Sequence, residues 1–352
     1  MYEALLRPLL FRLPPEPAHH LGLWGLGLLE LAPGIARSRR RAARAERSSL
    51  KVHVAGLDFP NPLGLAAGLD KDGEAIIGLF SLGFGAVEVG TVTPRPQPGN
   101  PPPRLFRLPE ERALINRLGF NNLGMHALGA RLRELAWRPG PVGVNLGKNK
   151  DTPNEAAVED YVVGARALAP LADYVVVNLS SPNTPGLRAL QEPEALAGLL
   201  AAVREEVVAR PLFLKIAPDL EDEAVDEVVD VARASELDGI ICTNTTVTRP
   251  VAHPLAKEAG GLSGRPLFDR STQVLRRAFR RSDGKLPLVG VGGVFDGEDA
   301  WRKICAGASL VQLFTGFIYG GPGLPRRILD TLEERVSAAG LDSVAKAVGR
   351  DV

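Results

Sequence analysis

Cysteine is scarce in this chain: Cys242 and Cys305 are the only two in 352 residues, and neither stands in a CxxC pair or a Cys/His cluster. A disulfide framework and a structural zinc site have no support, and a reduced cytosolic setting is the default. Aromatic residues make up only 5%, which leaves few rings on which single-stranded bases could stack. A charge excess of one sign is also missing. The formal net charge is +1, so no whole-chain field draws nucleic acid, and none is expected as a partner. The five histidines lie apart, no HExxH is present and no carboxylate pair suggests glycoside hydrolysis. No metal is expected. Lysine, too, is sparse, since most of the 42 basic residues are arginine; genome composition and heat adaptation both fit that bias.

Long hydrophobic runs are absent as well. The most apolar stretch, Glu16 to Leu31, falls short of the roughly 20 residues that span a bilayer, and no signal-peptide cleavage pattern follows it. Before it, Leu5, Leu6, Leu9, Leu10 and Leu13 recur at helical spacing, with Arg7 and Arg12 off the stripe. After Pro14-Pro15, Leu21, Leu23, Trp24, Leu26, Leu28 and Leu29 leave almost no polar face. Two readings stay open. The pair of helices lies on a membrane surface, helped by the basic run Arg37, Arg39, Arg40, Arg41, Arg44 and Arg47. Or it packs on the rest of the protein, with the arginines merely solvated.

What is present from Val52 onward is alternation. Val52 to Ala55 and Leu57 to Phe59 suggest a small hairpin. Eight apolar strand candidates follow: 62–66, 86–90, 142–146, 174–178, 212–216, 239–243, 288–291 and 309–314. Helical patterns separate most of them, as at 155–168, 193–208 and 221–235. A doubly wound sheet would also alternate. Polar punctuation after every strand favours a (β/α)8 TIM barrel, because an open sheet gathers its ligand groups at one switch point. The proline-rich loop Pro94 to Pro103 reads as an extended segment, and so long a loop in a compact domain is usually functional. The expected organisation is an N-terminal helical hairpin over residues 1–45 and a barrel over 46–352.

The barrel is organised around Tyr174 to Arg188, YVVVNLSSPNTPGLR. A β-branched run buried on both faces stops abruptly at Asn178, and Ser180, Ser181, Asn183 and Thr184 follow in a loop stiffened by Pro182 and Pro185. Those residues are also ordinary turn formers. Repetition at the other strand ends favours chemistry: Ala67-Gly68-Leu69-Asp70-Lys71, Thr91, Asn145 with Lys148, Lys215, Thr243-Asn244-Thr245, Gly292-Gly293, and Phe314-Thr315-Gly316. In a barrel all converge on one mouth. Amides and hydroxyls there can bind a polar planar ligand, and Lys71 and Lys215 can neutralise negative charge. Glycines after the seventh and eighth strands suit a phosphorylated cofactor, although tight packing also demands glycine. Asp70 is the one carboxylate at the mouth, suited to orienting Lys71 or capping a turn.

The motifs NPLGLAAGLDKDGE, EVGTVTPRPQPGNPPPRLFRL, INRLGFNN, NLGKNKDTP, VNLSSPNTPGLR, KIAPDL, TNTT, GGLSGRPL, GVGGV and GASLVQLFTGF resemble class 2 dihydroorotate dehydrogenases, the membrane-associated, quinone-reducing enzymes of pyrimidine synthesis. The resemblance runs from near the N-terminus to about Gly323. It implies FMN at the mouth, oxidation of dihydroorotate to orotate, and Ser181 as catalytic base where soluble relatives carry cysteine. It implies a substrate set of Lys71, Asn116, Arg117, Leu118, Gly119, Phe120, Asn178, Asn183, Asn244 and Thr245. For FMN it implies Ala67, Gly68, Leu69, Asp70, Lys71, Thr91, Asn145, Asn178, Lys215, Thr243, Gly264, Gly293, Phe314 and Thr315.

It further implies that residues 1 to about 45 open a quinone tunnel, with His19 and Arg107 at its inner end, in a monomer held peripherally on the cytoplasmic side of the cell membrane. One departure stands out: Phe314 occupies a position where such enzymes often have tyrosine. The rival readings are a soluble class 1 enzyme using fumarate or a nicotinamide partner, a non-catalytic barrel at a membrane, and a sugar-phosphate isomerase or aldolase. Ser181 and the N-terminal hairpin argue against the first, and the Lys71, Ser181 and Lys215 set against the second. The third would show no flavin dependence.

Overall fold

The expected strands do close on themselves. In the computed structural model, which describes residues 2–31, 47–135, 137–184 and 186–352, eight parallel strands form a barrel in the order β3 (Leu63–Leu65), β4 (Ala86–Val92), β7 (Val142–Leu146), β8 (Tyr174–Asn178), β9 (Leu212–Ile216), β10 (Gly239–Cys242), β12 (Leu288–Val291) and β13 (Leu310–Leu313). β13 pairs back to β3 through Val311↔Leu63 and Leu313↔Leu65. Every residue of β8 is buried, as a β-branched run covered on both faces requires. Interior layers are shaped by size: a Cβ on Gly143 would fall 2.1 Å from Tyr174 Cζ, so glycine there makes room for the neighbouring strand's ring.

The surrounding helices follow their apolar periodicity. The helix Asp222–Ala234 buries Val225, Val228, Val229 and Ala232. Its outer acids face the next helix, Phe268–Arg281, where Arg277 meets Asp226 at 2.6 Å and Asp222 at 2.9 Å, and Arg281 pairs with Asp230.

The small hairpin before the barrel is present as β1 (Val52–Val54) and β2 (Leu57–Phe59), turned by Ala55 and Gly56 at φ 52° and 76°. The long loop after β4 holds more than an extended segment. It leads into an antiparallel sheet of β5 (Leu105–Leu108), β6 (Ala113–Asn116) and β11 (Gly261–Gly264). Leu108, Ala113, Ile115 and Leu262 give that sheet its own small core.

The N-terminal segment begins with a wide turn at Tyr2–Leu6, continues as the helix Arg7–Arg12, and doubles back through the helix Pro15–Leu31. The hairpin has two unlike faces. Ala18 and Leu23 are buried, and a Cβ on Gly78 would meet the Leu26 carbonyl at 2.5 Å, so the inner face packs on the barrel. Leu5, Leu9 and Trp24 are 62%, 57% and 64% exposed, so the outer face is apolar and open. Among the described residues no helix is long and apolar enough to cross a membrane. Arg37, Arg39, Arg40, Arg41, Arg44 and the 45/46 boundary lie outside the described residues. Arg47 departs from the reading that placed it among headgroup-facing arginines: it pairs with Asp330 at 2.5 Å and with Glu333, because the helix Leu324–Ala338 presents two carboxylates to it.

Candidate active site

The carboxyl ends of β4, β7 and β8 are tied together by amides. Asn178 ends β8; its Nδ2 donates to Thr91 Oγ1 at 2.9 Å and to Asn145 Oδ1 at 3.1 Å, while its Oδ1 accepts from Ser180 Oγ at 2.9 Å. Asn244, after β10, donates to Ser180 Oγ at 3.0 Å. Beneath them lies a fully buried carboxylate that the sequence reading did not single out. Glu88 accepts from Asn145 Nδ2 at 2.8 Å and from Gln312 Nε2 at 2.6 Å. Its signal was available: an acid inside the otherwise apolar run Ala-Val-Glu-Val-Gly must be paired or functional.

These strand ends surround a cavity of about 130 Å³. Its walls include Ala67, Gly68, Lys71, Thr91, Asn178, Lys215, Thr243, Asn244 and Thr245 from the strand ends and loops, and Asn116, Leu118, Gly119, Phe120 and Gly264 from β6, β11 and their flanks. Ser181, Asn183, Gly293, Phe314 and Thr315 complete the set anticipated from sequence. Four anticipated residues stand elsewhere. Asn145 lies behind Thr91, which donates to its Oδ1 at 2.5 Å. Leu69 and Asp70 face a second cavity. The Arg117 guanidinium turns to Glu258 at 2.7 Å and stacks over Phe106.

Ser181 is 5% exposed, and its Oγ accepts from the Asn183 amide at 3.2 Å. Among the described residues no histidine or carboxylate hydrogen-bonds it, nor does Thr184. Asn183 in turn donates to Asn116 Oδ1 at 3.3 Å, joining the loop after β8 to the sheet over the mouth.

Charge at the site is positive and under-compensated. Lys215 is 5% exposed, and among the described residues no hydrogen-bond acceptor meets its ammonium. Burial pushes its pKa down, and the Glu88 carboxylate opposes that shift. Lys71 donates to the Gly68 carbonyl at 2.9 Å, and burial lowers it to about 8. Asp70 caps the following turn through the amides of Glu74 and Ala75, at 2.7 and 2.9 Å, and burial raises it to about 6. At the far wall Gly292 and Gly293, with φ 110° and 75°, expose backbone to the cavity, as does Gly316. Packing demands the glycine at 293, where a Cβ would fall 2.4 Å from Phe268 Cβ. An orphaned buried ammonium at one end and bare backbone at the other fit an electron-rich planar ring carrying a phosphate.

The second cavity, of about 530 Å³, runs between the N-terminal hairpin and the mouth. Tyr2, Phe11, Leu23, Leu26, Phe317 and Ile318 make it largely apolar, and it shares Gly68, Lys71, Asn116, Leu118 and Phe314 with the first. His19 lines it, and burial lowers its pKa to about 3, with Lys71 and His20 adding to the shift. Arg107 lines it too, donating to the Leu13 carbonyl at 2.8 Å and lying 4.5 Å over Phe11.

A TIM barrel with a polar, cationic mouth at the carboxyl ends of its strands, opening onto an apolar side cavity, is the architecture of a barrel enzyme that holds its ligands at that mouth. The particular family follows from comparison: residues 49–336 match the model of the dihydroorotate dehydrogenase family, and the chain belongs to it, in the quinone-dependent class 2. It is 60% identical to the dihydroorotate dehydrogenase (quinone) of Myxococcus xanthus, over 99% of this chain and 97% of that one. It is 52% identical to the protein of that name from Thermus thermophilus, over 96% and 98%. Among solved structures, DHODH from Eimeria tenella in complex with ferulenol superposes with a TM-score of 0.87 at 39% identity, covering 96% of this chain and 95% of that one.

Proposed function

We propose that this protein oxidises dihydroorotate to orotate in pyrimidine synthesis, using FMN in the barrel mouth and a membrane quinone as final electron acceptor. The observation that carries the reading is the shared wall between a polar, cationic cavity and an apolar one. One end suits a charged pyrimidine acid and the other a lipid-soluble oxidant. The chemistry that a bound flavin mononucleotide would supply is two-electron acceptance from the substrate and electron delivery to quinone.

The chain's own residues supply the rest. Lys71, Asn116, Asn178, Asn183 and Asn244 offer donors and acceptors to a carboxylate and a ring of amides. Ser181, on the loop after β8 and lining the cavity, would take the proton from C5. A serine hydroxyl is a weak base, so it must pass that proton onward at once, through a neighbour such as Thr184 or a water, inside a closed site. Lys215 would hold the electron-rich edge of the flavin, and the backbone of Gly292, Gly293, Thr315 and Gly316 its phosphate. The outward leucines and Trp24 of the hairpin would rest in the membrane surface on the cytoplasmic side.

The test is anaerobic. The purified protein should show a flavin spectrum that bleaches with dihydroorotate and recovers with a short-chain quinone. A colourless preparation would overturn the reading. Bleaching without recovery by quinone would return the hairpin to a packing role and point to a different oxidant.

A further inference from the structure

Lys303 is fully buried, and its Nζ meets a single hydrogen-bond partner, Ser271 Oγ at 2.6 Å. An ammonium has three protons to donate. No carboxylate lies within ion-pair distance among the described residues. Asp299, on the same helix, Gly297–Cys305, is committed to Arg265 at 2.8 and 2.7 Å and to the Phe295 amide at 2.9 Å. Asp269 is exposed and faces Arg302. A buried cation without a counter-charge is costly and is seldom kept without a purpose.

Its position suggests the purpose. Lys303 packs on β12, where a Cβ on Gly290 would lie 3.3 Å from Lys303 Cβ. Ser271 Oγ lies 3.0 Å from the Phe268 carbonyl and 3.2 Å from the Gly292 carbonyl. Gly293 presses on Phe268, whose ring lies 5.0 Å from Lys303 Nζ. Lys303, Ser271 and Phe268 therefore form the layer behind the Gly292–Gly293 turn, and the other side of that turn lines the active-site cavity.

We propose that Lys303 is a positioning residue for the phosphate end of the cofactor, a buried counter-charge that acts through Ser271 on the Gly292–Gly293 turn. This rests on the flavin reading above. A phosphate dianion on the cavity side supplies the missing negative charge, and the 14-residue helix Phe268–Arg281 directs its positive end to the same turn. Burial lowers the free amine to about 7. The charged and titratable groups facing it are Cys242 from β10, Asp269 from the following helix, and Asp299 and Arg302 from its own. Burial holds the Cys242 thiol at about 12, outside the range tested here.

The test compares FMN with riboflavin, which lacks the phosphate, by flavin fluorescence on dilution of the FMN-loaded protein and of the same protein reloaded with riboflavin. Lys303→Met keeps the stem and removes the charge. It should weaken FMN at least about tenfold while changing riboflavin less than about twofold, a smaller loss than for a directly hydrogen-bonded buried charge pair because Lys303 acts through Ser271. Equal weakening of both flavins, or of neither, overturns the proposal. The wild-type protein gives a second test if the variant does not fold. Its preference for FMN over riboflavin should fall severalfold between pH 7 and pH 9.5, as the free amine loses its proton; a flat ratio overturns the proposal. A protein that retains no flavin sinks the functional reading itself, whereas a yellow protein indifferent to Lys303 sinks only this inference.

Discussion

Glu88 Oε1 accepts a 2.8 Å hydrogen bond from Asn145 Nδ2, and that contact fixes the direction of the Asn145, Asn178 and Asn244 amides above it. Both Glu88 oxygens accept, so Asn145 turns its nitrogen downward and its Oδ1 toward Thr91 and Asn178. Asn178 then gives its nitrogen to Asn145 and keeps its oxygen for Ser180 and Asn244. One buried acid sets the donor pattern of the site from below.

Glu88→Gln should be tolerated where Glu88→Leu is not. Among the described residues Gln312 Oε1 is buried without a partner, so that amide can flip and accept from the new Gln nitrogen while Asn145 keeps its acceptor. The chain of amides survives, but the charge that supports Lys215 does not. Glu88 raises the Lys215 pKa against burial, so its loss lowers it. The alkaline limit of flavin reduction should then move to lower pH in Glu88→Gln, read by stopped flow from pH 6 to pH 10. Superimposable profiles would show that the two groups are not coupled.

Ser181→Ala should slow flavin reduction by dihydroorotate by about 10²–10⁴-fold, the usual worth of a positioned base, while the bound flavin spectrum stays unchanged. Among the described residues the Ser181 hydroxyl makes one long hydrogen bond, from the Asn183 amide, so folding should survive its loss. An unchanged reduction rate would remove Ser181 from the chemistry.

The barrel was legible because its strands are uniform. Val142–Leu146, Tyr174–Asn178 and Leu212–Ile216 have the bounds that their strand patterns predict. The sheet of β5, β6 and β11 was not legible in the same way. Its strands are four residues each and carry Arg107 and Asn116 among apolar neighbours; β5 and β6 form a local hairpin, but β11 joins β6 from about 145 residues further along the chain, so no local period reports the sheet. Most of the cavity wall could be read from strand ends and motif resemblance. Arg117 could not, because only the fold shows Glu258 and Phe106 taking its guanidinium. Glu88 and Lys303 escaped because each acts from behind the residues that line the cavity.

Phe314 stands in both cavity walls, and a Cβ on Gly68 would lie 3.2 Å from its ring. Phe314→Tyr adds a hydroxyl to that partition. The expected result is a severalfold lower KM for the quinone, with flavin reduction by dihydroorotate unchanged. Steady-state kinetics with quinone as the varied substrate checks the first part and stopped flow the second. Slower flavin reduction would mean that the new hydroxyl intrudes on the pyrimidine side.

His19 links the hairpin to pH. Burial first, then Lys71 and His20, lowers its folded-state pKa to about 3, against about 6.5 when unfolded. Between those values the unfolded chain binds a proton that the folded one refuses, so acidification favours unfolding; the penalty is absent above pH 6.5 and grows toward pH 3. His19→Gln removes that proton uptake. The fall in Tm from pH 7 to pH 5 should therefore be smaller in the variant than in the wild type, measured side by side at one ionic strength. An equal fall in both would mean that His19 is protonated in the folded protein, and an apolar cavity wall would then hold a charge beside Lys71.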